Sequence, residues 1–126
     1  MPDTKPKVLL AEDDPFMITL LSKALTEEGF EVTLANNGDE AVRQFGETHP
    51  DILLFDIMMP EKSGIDALRE IRGLPGGKDI PALILTNLDD TPTVGDAEAL
   101  GIRAYLIKAN TQLPEIVNKV KQALGK

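Results

Sequence analysis

Short apolar runs alternate along the chain with longer stretches in which apolar positions recur every three or four residues. Residues 8–11 (VLLA) predict a first strand, residues 31–35 (EVTLA) a second and residues 51–56 (DILLFD) a third. Residues 82–86 (ALILT) predict a fourth and residues 104–108 (AYLIK) a fifth. The first, third and fourth are continuously apolar, the pattern of strands covered on both faces. Between them lie helix signals. Asp14 caps a helix that begins at Pro15, shows Ile18, Leu21 and Leu25 on one face and stops at Gly29. Asn37, with Glu40 three residues on, has the form of a capping box ahead of Ala41, Val42 and Phe45. A third helix covers about residues 65–72 and closes on GLPGGKD. A fourth covers about residues 92–100, weakened by Gly95 and stopped by Gly101. Leu113, Ile116, Val117, Val120 and Leu124 form the apolar stripe of a last helix. Strands separated by helices give an α/β fold, a doubly wound parallel sheet with about five helices on its two faces.

Composition narrows the function. The 126 residues suit one domain, spanning 1–126 with a core from about residue 6 to 124. Thirteen Lys and Arg against 21 Asp and Glu give a net charge of −8, which repels phosphate backbones and argues against direct nucleic-acid binding. The absence of Cys excludes disulfides, zinc-thiolate sites, iron–sulfur clusters and thiol nucleophiles. A single His, His49 before Pro50, excludes multi-histidine metal sites and reads as a turn residue. The opening MPDTKPK lacks an apolar signal-peptide core, and no apolar run approaches the ~18 residues of a membrane span. A soluble, cytoplasmic protein without membrane contact is expected.

The chemistry gathers at the carboxyl ends of the strands, where open α/β sheets bind ligands. The first strand runs into Glu12, Asp13 and Asp14; the third ends at Asp56, the fourth at Thr86 and the fifth at Lys108. Asp14, ahead of Pro15, reads as a helix cap. Asp56 is the anomaly, a carboxylate set among Leu54, Phe55, Ile57 and Met58. Two unpaired carboxylates ~5 Å apart repel by about 3 kcal/mol at an effective dielectric of ~20. A cation relieves that repulsion, and an all-oxygen set suits Mg²⁺, or Mn²⁺. Such a metal beside an Asp points to phosphoryl transfer, with Asp56 as the nucleophile, Lys108 neutralising phosphoryl oxygens and Thr86 donating a hydrogen bond.

These residues resemble the response-regulator receiver domains of two-component signalling, the CheY-like family. The resemblance rests on AEDD after the first strand, DILLFDIMMPEKSG around the third, LILTN at the fourth and AYLIK at the fifth. It implies strand order 2-1-3-4-5, a flavodoxin-like arrangement. It implies that Asp56 is the phosphoacceptor and that Mg²⁺ is held by Asp13, Asp56 and the Met58 carbonyl, with Glu12 acting mainly through water. Thr86 and Lys108 contact the phosphoryl group, and Tyr105 partners Thr86 in a switch. The implied role is a regulatory domain that catalyses its own phosphorylation and dephosphorylation instead of a conventional enzyme. Its partners are a sensor histidine kinase or histidine phosphotransfer protein and a downstream protein that the sequence does not identify. Phosphorylation is expected to change the surface of the fourth helix, fifth strand and fifth helix in a monomer or weak phosphorylation-linked dimer.

Two positions depart from the family pattern. Ala109 follows Lys108 where receivers carry Pro, often through a cis peptide, so Lys108 either approaches differently or sits on a strained bond. Asn87 follows Thr86 where a small residue is common, and it either narrows access to Asp56 or adds a hydrogen bond to the phosphate. Both leave open the alternative of a phosphorylation-independent scaffold. Other phosphate chemistries fit less well. An aspartyl-phosphate phosphatase of the haloacid-dehalogenase type needs a second Asp two residues after the first, where Met58 stands. A flavodoxin needs a hydroxyl- and Gly-rich loop where Glu12, Asp13 and Asp14 stand. GLPGGKD does not satisfy GxxxxGK[ST].

Overall fold

The computed structural model describes residues 5–125. β1 (Lys7–Ala11), β3 (Ile52–Phe55) and β4 (Ala82–Thr86) form the centre of a five-stranded parallel sheet, flanked by β2 (Glu31–Ala35) and β5 (Ala104–Ile107) in the order β2-β1-β3-β4-β5. Parallel neighbours require crossovers. These are α1 (Pro15–Glu27), α2 (Gly38–Thr48), α3 (Gly64–Arg72) and α4 (Thr91–Glu98), and α5 (Leu113–Ala123) closes the chain. The expected order and fold class are both observed. Among the described residues no helix is long and apolar enough to cross a membrane.

Successive strand residues point to opposite faces, so each central strand feeds two cores. Leu9, Ala11, Leu53, Phe55 and Ile84 pack with Ala41 and Phe45 of α2, Leu68 and Ile71 of α3, and Ala97 of α4. Val8, Leu10, Ile52, Leu54, Leu83 and Leu85 face the other way, against Leu21 and Leu25 of α1 and Ile116, Val117 and Val120 of α5. This explains why β1, β3 and β4 carry no alternation: neither face meets water. The outer strand β2 does expose Glu31 and Leu34.

Capping residues set the helix starts. The Asp14 side chain accepts from Phe16 N (3.0 Å) at the head of α1, Asn37 from Glu40 N (2.7 Å) at α2, and Ser63 from Asp66 N (3.1 Å) at α3. Glu40 reaches back to Asn36 N (2.6 Å), one residue before the partner that a capping box uses. His49 ends α2 in the left-handed conformation. α4 begins earlier than the apolar spacing predicts, because Asp90 caps it by accepting from Thr93 N (3.0 Å).

The strand ends differ from expectation at three positions. Asp51 and Asp56 lie outside the β3 ladder, and Lys108 lies beyond β5 in a 3-10 turn, Lys108–Asn110. Asp51 instead accepts from Lys7 N (2.7 Å). Asp56 and Lys108 are released from the strands into the site.

Candidate functional site

Four chain segments leave the sheet at its carboxyl edge and bring their polar side chains together. Glu12 follows β1 directly, with its amide donating to Ala35 O (3.0 Å). Asp56 follows β3, with its amide donating to Ala11 O (2.9 Å), so the end of β2 holds Glu12 and the end of β1 holds Asp56. One carboxylate oxygen each from Glu12, Asp13 and Asp56 lies within 4.8 Å of the others. Glu12 and Asp56 are buried, while Asp13 is exposed at the rim.

Lys108 provides the counter-charge. Its Nζ lies 2.9 Å from Asp56 Oδ2 and 2.8 Å from Glu12 Oε1. The peptides around Ala109 are trans, as are all described ones, and Lys108 still reaches Asp56. Asp56 Oδ1 accepts from the Ile57 and Met58 amides, at 2.6 and 3.3 Å. Both oxygens of a buried carboxylate are therefore partnered, as burial requires.

Burial pushes the Glu12 carboxyl above its ordinary pKa; the hydrogen bond from Lys108 opposes this, and the Asp56 charge reinforces it. Burial alone disfavours the Lys108 ammonium, but its hydrogen bonds to Asp56 and Glu12 and their charges prevail, so its pKa is raised. One ammonium thus pairs with two of three clustered carboxyl groups. That excess of negative oxygen, with no nitrogen or sulfur donor, fits a small hard divalent cation.

The loop from β3 to α3 is held by two close backbone approaches. A Cβ on Gly64 would lie 1.9 Å from Asp56 O, so only glycine lets α3 start against the Asp56 backbone. A Cβ on Gly38 would lie 2.1 Å from Lys62 O, where the Gly38 amide donates at 2.9 Å. Met58 lies on this loop with its side chain exposed and its amide turned to Asp56.

Thr86 and Tyr105 stand on the α4 side. Thr86 is fully buried at the end of β4, and its Oγ1 accepts from Leu88 N (3.4 Å). No hydrogen bond joins it to Asp56 among the described residues. Tyr105 packs half-buried against the core shared with α2, α3 and α4, and its hydroxyl donates to Leu88 O (2.5 Å). Both therefore engage the same residue of the β4–α4 loop. Burial raises the Tyr105 pKa, and the charges of Asp90, Asp89 and Asp56 add to this. The resemblance pairs Tyr105 with Thr86, and in the structure the two meet at Leu88, one at its carbonyl and the other at its amide.

Glu12, Asp13, Asp56 and Lys108 thus come together, with the Met58 amide on Asp56, while Thr86 and Tyr105 meet at Leu88. Two contacts were not foreseen. The first is the Glu12–Lys108 ion pair: the sequence assigns Glu12 to the cation and Lys108 to the phosphoryl group, and nothing in the spacing pairs the two. The second joins Asn87 Oδ1 to the Ala109 amide at 3.0 Å, and no periodicity marks a pair so far apart in the chain.

The chain is similar to known proteins. The profile of the response regulator receiver domain family matches residues 8–121. The chain is 34% identical over 119 residues to chemotaxis protein CheY of Thermotoga maritima, covering 92% of this chain and 98% of that protein. It is 36% identical over 102 residues to regulatory protein AtoC of Escherichia coli, covering 81% of this chain but 22% of AtoC. It spans about half or less of the transcriptional regulatory proteins it matches. The receiver domain of sensor histidine kinase PA1611 from Pseudomonas aeruginosa, solved with a magnesium ion coordinated in its active-site cleft, superposes with a TM-score of 0.87. That match has 28% identity and covers 98% of this chain and all of the other.

Proposed function

Because the chain belongs to the response regulator receiver domain family, a family of regulatory domains, we propose that it receives a phosphoryl group on Asp56 and reports it to another protein. Residues 1–126 act as one receiver domain. The donor is a phosphohistidine on a sensor histidine kinase or a histidine phosphotransfer protein, in the cytoplasm. A carboxylate oxygen of Asp56 attacks phosphorus, the phosphorus–nitrogen bond breaks, and its electron pair returns to the imidazole, which takes up a proton. The exposed apolar side chains Phe16 and Met58, each two residues from an acidic residue of the cluster's segments, give a docking donor something besides charge to hold.

The observation that carries this reading is Lys108 Nζ within 3 Å of both Asp56 and Glu12, two members of a three-carboxylate cluster. Glu12, Asp13, Asp56 and the Met58 carbonyl would hold Mg²⁺, which neutralises charge on the incoming phosphoryl oxygens when bound. Lys108 follows the Asp56 oxygen that it already contacts and neutralises the transferred group. The Thr86 hydroxyl leaves Leu88 N and donates to a phosphoryl oxygen. Lys108 makes these contacts with Ala109 behind it, which supports phosphorylation over a phosphorylation-independent scaffold.

Output follows from the shared anchor at Leu88. Moving a balance from 1:99 to 99:1 takes about 5.5 kcal/mol of differential stabilisation. One Thr86 hydrogen bond, at about 0.5–1.5 kcal/mol, supplies only part of that. The charge-assisted contacts of Lys108 and the cation, together with the bound partner, supply the rest. The α4–β5–α5 face then changes its affinity for a downstream protein or for a second copy of the chain. Incubation with a phosphohistidine donor and Mg²⁺ tests this: Asp56→Asn takes up no phosphoryl group, and uptake by that variant at the wild-type rate and site refutes the assignment.

A further inference from the structure

We propose that Asn87 is a positioning residue for the reaction at Asp56, acting by holding the segment that carries Lys108. The proposal rests on the reading of Asp56 as phosphoacceptor. Thr86 and Ile107 are the last paired residues of β4 and β5 and stand opposite each other. Beyond them the ladder ends. One strand runs into the β4–α4 loop and the other into the 3-10 turn that begins at Lys108. The Asn87 side chain crosses this gap, with Oδ1 3.0 Å from the Ala109 amide. Because its partner is an N–H, the oxygen and not the amide nitrogen faces it.

Three observations give the bridge its consequence. The first amides of a helical turn have no partner within the turn, so Ala109 N–H is free for a side chain. Lysine has a flexible four-carbon stem, and holding its ammonium on two acceptors at once depends on where its backbone is fixed. The far side of the turn is already fastened, since Thr111 Oγ1 donates to Ile107 O (2.8 Å). Asn87 fastens the near side. The bond also needs an amide hydrogen at position 109, which Ala supplies and Pro does not. Asn87 and Ala109, read separately in the sequence as two departures from the family pattern, form one device. The β4 end that carries Thr86 is thereby tied to the β5 end that carries Lys108.

Asn87→Ala and Asn87→Asp in the full chain test this, with three readouts: hydrogen exchange at the Ala109 amide, titration with beryllofluoride in Mg²⁺, and the thermal midpoint. Asn87 is exposed, so both variants fold. In Asn87→Ala the Ala109 amide exchanges faster, and half-saturation by beryllofluoride rises about two- to tenfold well below the midpoint, the range of one lost hydrogen bond. Asn87→Asp keeps a side-chain acceptor and keeps Ala109 protected. A lowered midpoint in Asn87→Ala with unchanged beryllofluoride affinity makes the bond merely structural and overturns the proposal, as does unchanged Ala109 exchange. A wild-type protein that takes up no beryllofluoride refutes the Asp56 reading, and this proposal with it. Wild-type uptake matched by Asn87→Ala refutes the positioning role alone.

Discussion

The two loops beside Asp56 are built in opposite ways. On one side, α3 buries Gly64, Ile65, Ala67, Leu68 and Ile71 and starts in direct contact with the Asp56 backbone. On the other, α4 buries only Ala97, carries Gly95 in its interior and meets the site through Leu88. The far end of α4 is better held: the Arg72 guanidinium donates to the carbonyls of Gly77 (3.0 Å), Ile80 (2.6 Å) and Leu100 (2.9 Å). The segment after the helix is thus tied to α3 by an arginine, and the loop before it is tied to the sheet at Leu88 by the Tyr105 hydroxyl and the Thr86 oxygen. Chemistry that needs fixed oxygens is placed on the tight side. An element with few buried side chains has low local stability and suits two arrangements, and the loose side is where the proposed signal leaves.

Substitutions on either side should separate them. Gly64→Ala has the largest expected effect. Its Cβ falls on the Asp56 carbonyl, a backbone atom that cannot swing away, so the loss of unfolding free energy in urea should reach about 3 kcal/mol. A loss below about 0.5 kcal/mol would show that the β3–α3 loop yields easily and erase the contrast. Tyr105→Phe removes the hydroxyl from Leu88 O and should lower stability by about 1 kcal/mol, with faster amide exchange confined to residues 87–95. Equal acceleration in α3 would mean that the two sides are coupled. Gly95→Ala has the smallest effect and the opposite sign. A Cβ there meets nothing within 4 Å, so stability should rise by about 0.5–1 kcal/mol, and residues 87–95 should exchange more slowly.

The same contrast governs what was legible in the sequence. β1, β3 and β4 are readable because burial on both faces leaves an unbroken apolar run, and the strand order follows from the family resemblance. The tight side is readable too: Gly64 closes the motif DILLFDIMMPEKSG, and its approach to the Asp56 carbonyl explains why a glycine stands there. α4 is blurred because one buried alanine makes no stripe, and its true start depends on the Asp90 cap. Lys108 reads as a strand residue because the apolar pattern before it does not show where pairing stops. The burial of Glu12 against Lys108 is not legible, because the lysine that neutralises it comes from the far end of the chain. Asn87 and Ala109 look like unrelated exceptions because a hydrogen bond from side chain to backbone has no period.

Phosphorylation in solution tests the central claim most directly. The wild-type chain and Asp56→Asn are each incubated with Mg²⁺ and a small phosphoramidate donor, and their backbone amide resonances are compared before and after. The wild type should shift around residues 56–58 and across 87–108, leave most of α3 in place and return to its starting spectrum as the phosphoryl group is lost, while Asp56→Asn stays unchanged. Amides across 87–108 that do not move in a phosphorylated wild type, or shifts of the same size in Asp56→Asn, would contradict the account.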